Sequence, residues 1–220
     1  MNGVRFGDIH SYNDLHLILA PFTPEPAKPR TNFLNIPGRD GKLDLTEANG
    51  EVKFDSRKFK FTFTVAPEDD LTFDERVTKV SNALNGLRCK ITLDRDPDYY
   101  WLGRCEINKY KQDRNIGTIV VQATVDPYKL KQEETIEYCF CGAGMSNHFV
   151  FTNDRMPSVP TVECFINGAT LIQGDKRWEL NVGTHRYLGF RFVEGENEFL
   201  IEHNDGEVTG LKFTWQEGAL

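Results

Sequence analysis

Apolar and polar side chains alternate most cleanly over residues 57–65, RKFKFTFTV. Phe59, Phe61, Phe63 and Val65 share one parity, and Lys58, Lys60, Thr62 and Thr64 share the other. A period of two marks a strand with one buried face. The period changes at residue 72: Phe73, Val77, Val80, Leu84 and Leu87 recur at helical spacing. Thr72 with Glu75 three positions later is the capping-box pattern, and Asn85-Gly86 supplies the stop. The spacing predicts an amphipathic helix over about residues 73–86, roughly four turns by its rise per residue, packed on a sheet. Residues 4–19 read as one or two short strands with a turn at Ser11–Asp14. CKITL (89–93), a DRDPD turn and YYWLGRCEI (99–107) predict a hairpin, and GTIVVQATV (117–125) a further strand.

After VDPYK (125–129) no helical period returns. Short strands are expected at FVF (149–151), TVECFI (161–166), RWELNV (177–182), YLGFRFV (187–193), EFLIEH (198–203) and GLKFTW (210–215). NDRMPSVP, NGA, QGDK, GEN and the NDG at 204–206 break them. Close-set short strands between such breaks imply an antiparallel sandwich or barrel. The fold class is mainly β with one helix. The expected division is 1–131 and 132–220, with KLKQEE (129–134) as a short charge-rich joint.

Two stretches fit no regular element. PFTPEPAKPR (21–30) has four prolines, which fix φ and remove donors, so an extended, exposed arm is expected. IPGRDGKLDLTE (36–47) lacks the spacing of a phosphate-binding loop and is not followed by a helix. It reads as a hairpin turn in which Asp40-Gly41 supply the positive-φ positions, with Ile36, Leu43 and Leu45 entering the sheet.

Composition narrows the function. The chain has 220 residues, 39% hydrophobic and 27% charged, with sixteen Phe. Its net charge of −7 argues against wrapping nucleic acid by phosphate neutralisation. No apolar run approaches the ~20 residues of a membrane span, and MNGVRFGDIHSYND has no basic-then-apolar leader. A cytosolic origin, at least until assembly, is the expectation, with Cys89, Cys105, Cys139, Cys141 and Cys164 reduced and mostly buried.

Candidate chemistry is thin. Cys139-x-Cys141 with His148 lacks the second ligand pair of a zinc site. His10, His16, His148, His185 and His203 are scattered, and Asp94/Asp96 and Glu194/Glu196 lie in expected turns. No nucleophile motif is present. Trp178, Tyr187 and Trp215 could stack on a sugar, although Trp178 alternates with Leu180 and Val182 like a core residue. No catalytic residue, metal or cofactor is expected.

In combination and order, IPGRDGKLDLT (36–46), the capped helix, CKITLDRDPDYYWLGRCE (89–106), VDPYK (125–129), MPSVPTVECFINGA (156–169) and FTWQEGAL (213–220) resemble the distal tail (Dit) proteins of long-tailed siphophages. The resemblance covers nearly the whole chain. It implies a first domain that is a split β-barrel with one helix, and a galectin-like sandwich as the second, the last residues packing back on the first. It implies a homohexameric ring, single or as two stacked rings, at the tail tip of the virion, assembled in the bacterial cytoplasm. Expected partners are the tail tube protein, the tail-tip hub protein and receptor-binding proteins. DNA would pass through the channel without specific binding, and no membrane insertion is implied. Candidate subunit or tube contacts are Pro24, Pro26 and Pro29 of the arm, and Gly38, Arg39, Asp40 and Gly41 of the loop. The second domain is too short to hold an inserted carbohydrate-binding module. The alternative is a stand-alone carbohydrate-binding β-sandwich protein.

Overall fold

The computed structural model describes residues 3–48, 50–65, 71–113, 116–142, 146–165, 167–203 and 209–220. The turn expected at 204–206 lies outside them. The chain forms two compact units, Met1–Lys129 with Leu220, and Leu130–Ala219.

The first unit holds β1 (Val4–Phe6), β2 (Ile9–His10), β3 (Leu17–Leu19), β4 (Phe33–Leu34), β5 (Leu43–Asp44), β6 (Arg57–Val65), α1 (Phe73–Leu84), β7 (Arg88–Leu93), β8 (Asp96–Asp113) and β9 (Ile116–Val125). Its main sheet has the order β2-β1-β7-β8-β9-β6-β3. The β6 alternation sets its register: Phe59 pairs with Ala123, Phe61 with Val121 and Phe63 with Ile119. All six are buried. A one-residue slip would turn the three rings to solvent, at about 1.5–3 kcal/mol each. Phe6 meets Phe61 edge-on at 5.5 Å, and Trp101 meets Phe59 at 5.1 Å.

Helix α1 begins where the sequence places it. Thr72 accepts a bond from the Glu75 amide, and the Glu75 carboxylate accepts one from Thr72 N at 2.9 Å. The helix ends at Leu84, with Asn85 as its C-cap and Gly86 at φ 83°. That left-handed position suits glycine. Val77, Val80 and Leu84 join the core of the sheet. Arg76, also buried, donates to the Leu15 carbonyl at 3.0 Å.

Two expectations change here. The turn before β8 is only Asp94-Arg95, because Leu93 already pairs with Asp96. The rest of DRDPD belongs to β8, which runs 18 residues. A bulge at Asn108 separates the pairs Ile107–Val121 and Lys109–Val120. The second change concerns residues 36–47. Ile36 and Leu43 do not enter the main sheet; β4 and β5 form a separate two-stranded ribbon, Leu34 opposite Leu43. The positive-φ residues of its loop are Gly38 and Gly41, and Asp40 is not one of them.

Strand β10 (Lys129–Lys131) begins on the last residue of the first unit's main span, and the second unit holds β11 (Thr135–Cys141), β12 (Ser146–Asn153), β13 (Thr161–Cys164), β14 (Ala169–Gln173), β15 (Lys176–Leu180), β16 (Gly183–His185), β17 (Gly195–His203), β18 (Thr209–Trp215) and β19 (Gly218–Ala219). Two antiparallel four-stranded sheets, β11-β18-β13-β16 and β12-β17-β14-β15, share one core in a sandwich. Phe151, Phe190, Phe192, Phe199, Phe213 and Trp215 interlock there with centroids 5.0–6.1 Å apart. Trp215 Nε1 donates to Asn153 at 3.0 Å. Residues 187–193 are not the strand their alternation predicts. Phe190 and Phe192 are buried and Leu188 is exposed, but only a single bridge joins Phe192 to Ser158. Alternation there reports burial without pairing. Strand β14 went unrecognised because its pattern is interrupted: Leu171 and the adjacent Ile172 are both buried.

Close packing of β8 on β9 makes one position sensitive. A Cβ at Gly103 would lie 2.5 Å from the Val125 side chain and 2.8 Å from the Thr124 carbonyl oxygen. Gly103→Ala is expected to cost about 1–3 kcal/mol, measured as a lower urea midpoint at unchanged slope.

Candidate interaction surface

The proline arm starts anchored. Phe22 packs on Phe59 and Phe61 at 5.4 and 4.5 Å. Arg95 donates to the Phe22 carbonyl at 2.7 Å, and Arg57 donates to that of Glu25. Further on, Pro29 bridges to Phe54, and Arg30 pairs with Asp55 at 2.9 Å. Pro24 is half-buried, whereas Pro26 and Pro29 are exposed. The arm is therefore a strap across its own unit with one solvent-facing side.

The ribbon carries the other four sequence candidates. Every residue from 31 to 42 is exposed, including Gly38, Arg39, Asp40 and Gly41. Nothing lies within 4 Å of where a Cβ would stand at Gly38 or Gly41. The base of the ribbon is tied locally: Leu45 N donates to Asn32 O at 2.8 Å, and Thr46 N to Asp44 at 2.9 Å. Bonds from Thr46 hold the Asp44 carboxyl below the usual carboxylate range. Phe33 and Leu34 are each 50% exposed, and Ile36 is exposed beside them. A solvated apolar ribbon around a glycine loop is unusual for a monomer surface.

A third exposed element was not visible as a site in the sequence. Beyond the bulge, the β8–β9 hairpin presents Lys109, Tyr110, Lys111, Asp113 and Ile116 around an open cavity of about 830 Å³. Gly117, paired with Gln112, lets this far end of the hairpin approach the helix, since a Cβ there would meet the Phe73 ring at 2.5 Å. The length of the hairpin is the feature that marks it, and residues 108–113 are polar on both faces.

Most of the groups singled out for chemistry have structural partners. His10 Nε2 lies 3.2 Å from Asp94, and its Nδ1 faces the amides of Tyr12 and Asn13. Because Nδ1 accepts, Nε2 carries the proton toward Asp94. Asp94 also accepts from Gly3 N at 2.7 Å. Asp96 pairs with Lys129 at 2.8 Å, and Glu194 with Arg155. His148 faces Glu198, His185 the Asn181 carbonyl and His203 the Gly168 carbonyl. Among the described residues, no three His, Cys, Asp or Glu side chains gather to hold a metal. Of the three candidate sugar platforms, Trp215 is buried, while Trp178 and Tyr187 pack against the second core. The exposed aromatics of that unit are Tyr138, Phe140 and Phe165.

The family model described as phage tail protein RIFT-related domain matches residues 7–132. Among solved structures, the crystal structure of SPP1 Dit, described as a paradigm of the hub adsorption apparatus in phages infecting Gram-positive bacteria, superposes with a TM-score of 0.68. The match covers 100% of both chains at 11% identity, a likeness of fold. No curated protein matches the chain.

The thiols provide a check on this geometry. The Cys105 thiol hydrogen-bonds Cys89, which draws Cys89 down and pushes Cys105 up, while burial raises Cys139 and Cys141. Only the thiolate alkylates. In native protein near pH 8, iodoacetamide should label half-buried Cys89 first and leave Cys105, Cys139 and Cys141 unmodified until denaturant is added, as read by peptide mass spectrometry.

Proposed function

Because the chain belongs to the family of phage tail proteins with a RIFT-related domain, we propose that it is a distal tail hub whose product is a shape. Six copies close a ring at the end of the tail tube, in the virion. The ring joins the tube protein to the tail-tip hub and the adsorption proteins, and it assembles in the bacterial cytoplasm. Heterologous head-to-tail contacts generate closed rings. The observation that carries this reading is the β4–β5 ribbon, which exposes Phe33, Leu34 and Ile36 around the 36–42 loop. Such a ribbon fits against a different surface of the next copy, with Gly38, Arg39, Asp40 and Gly41 at the contact. Pro26 and Pro29, on the solvent side of the strap, offer a second contact. The surplus of acid over base, 33 against 26, leaves phosphate unattracted and suits a channel through which DNA slides.

The fold agreement with a tail hub protein favours a structural role. A second reading, glycan binding by residues 130–219, draws on Phe140 and Phe165. They flank Gly210, where a Cβ would lie 3.3 Å from Phe165 and 3.5 Å from Phe140. Phe140 is 68% exposed, open for a sugar ring to stack on.

Light scattering on the purified chain is expected to show a particle of about 150 kDa, six times 25.2 kDa, with a ring in negative stain. Phe33→Ser with Leu34→Ser should give monomers with an unchanged melting temperature. A wild-type chain that stays monomeric at every concentration, alone and with purified tubes, overturns the ring. For the second reading, a glycan-array signal abolished by Phe140→Ala is the expected outcome, and an array without hits removes it.

A further inference from the structure

Arg57 opens the alternating run of β6 on the same parity as Phe59, Phe61 and Phe63, and so its side chain turns inward. It is 7% exposed. Its guanidinium lies over Phe59 and Trp101, at 5.2 and 5.8 Å from the ring centroids. Its terminal nitrogens donate to carbonyls, those of Glu25 and of Pro127 (3.3 Å), and its Nε has no partner. Among the described residues it makes no ion pair. Carbonyls satisfy hydrogens without cancelling charge, and burial alone pushes the group below the ordinary arginine range. A buried guanidinium is ordinarily matched by a carboxylate.

The same residue lines an open cavity of about 490 Å³. Arg95, exposed and likewise without a carboxylate partner among the described residues, stands in its wall, with one donor spent on the Phe22 carbonyl. The one side-chain carboxylate lining the cavity, Asp96, is neutralised by Lys129 at 2.8 Å. Trp101 is 3% exposed, and its Nε1 is a second buried donor without an acceptor. The remaining wall is largely apolar: Leu93, Leu220 and, from the strap, Pro24 and Pro26. Two unmatched positive charges and orphan donors over an apolar lining define a ligand that brings negative charge and carbon together.

We propose that this cavity receives the carboxylate of an acidic peptide segment on a partner protein, with Arg57 and Arg95 as its charge partners and Trp101 and Leu93 as the seat of a neighbouring apolar side chain. The depth of Arg57 excludes the backbone of a duplex nucleic acid, whose phosphates cannot leave the groove edge to reach it. A glutamate or aspartate side chain is slender enough, and arginine forms its strongest bonds with that group. The prolines of the strap then wall a binding site, and the surface of the strap and the cavity beneath it are distinct features.

The test uses the full chain and two blocked hexapeptides, Gly-Leu-Glu-Glu-Leu-Gly and its Gln-Gln twin, followed by the Arg57 Nε–H resonance in NMR. The Glu peptide is expected to shift that resonance saturably, the Gln twin to bind about tenfold more weakly or worse, and Arg95→Gln to weaken the Glu peptide severalfold at unchanged melting temperature. Arg95→Gln is the deciding variant, because the Phe59 and Phe61 rings still hold Phe22 when its bond from Arg95 is lost, whereas Arg57 alone ties Glu25 to Pro127 and its loss can unfold the strap. Equal binding of the two peptides, or no shift with either, overturns the proposal. Inorganic phosphate competing as strongly as the Glu peptide also overturns it, in favour of a small-anion site.

Discussion

Three phenylalanines on one face of β6 set the terms for the first unit. With Phe59, Phe61 and Phe63 inward, β9 on one side and β3 on the other have a single register that buries their own apolar residues. The helix then has a fixed surface to cover, and Phe22 a fixed pair of rings to rest on. What looks like a loose proline-rich arm is positioned by that contact. Its path past Glu25 decides where the cavity beside Arg57 lies. Rigidity therefore spreads outward from one strand to the segments available for assembly.

Loops in this unit are held in a characteristic way. Arg76 and Lys79 of the helix donate to the carbonyls of Leu15 and Asp14, Arg95 to Phe22, and Arg104 to Gly86. Cations spent on backbone carbonyls fix chain direction where proline or a turn leaves no ladder to join.

The sequence disclosed those parts of the fold in which burial is one-sided and regular. Residues 57–65 and the capped helix are examples, because period and capping are local quantities. It failed where periodicity and pairing part company. Residues 108–113 are exposed on both faces and give no alternation, so the long β8 was cut short at 107. Residues 187–193 alternate because Phe190 and Phe192 fill the sandwich core, yet they join no sheet beyond one bridge. The exposed ribbon was located but misassigned to the main sheet, since glycine turns look alike whether the strands they join are central or peripheral. Arg57 was legible in principle: an arginine on the inward parity of a phenylalanine strand is a conflict between pattern and charge, and such conflicts mark sites.

The bulge at Asn108 has a further meaning. Side chains on β8 keep strict phase with β9 up to Ile107, and the extra residue resets that phase for everything beyond it. Lys109 and Lys111 thereby fall opposite Val120 and Thr118, and Tyr110 opposite Ile119. The identity of the face shown by the hairpin tip is thus encoded by a count. Without the bulge, Asn108 would stand opposite Val120 and Lys109 opposite Ile119, and residues 109–113 would exchange their two faces with their composition intact.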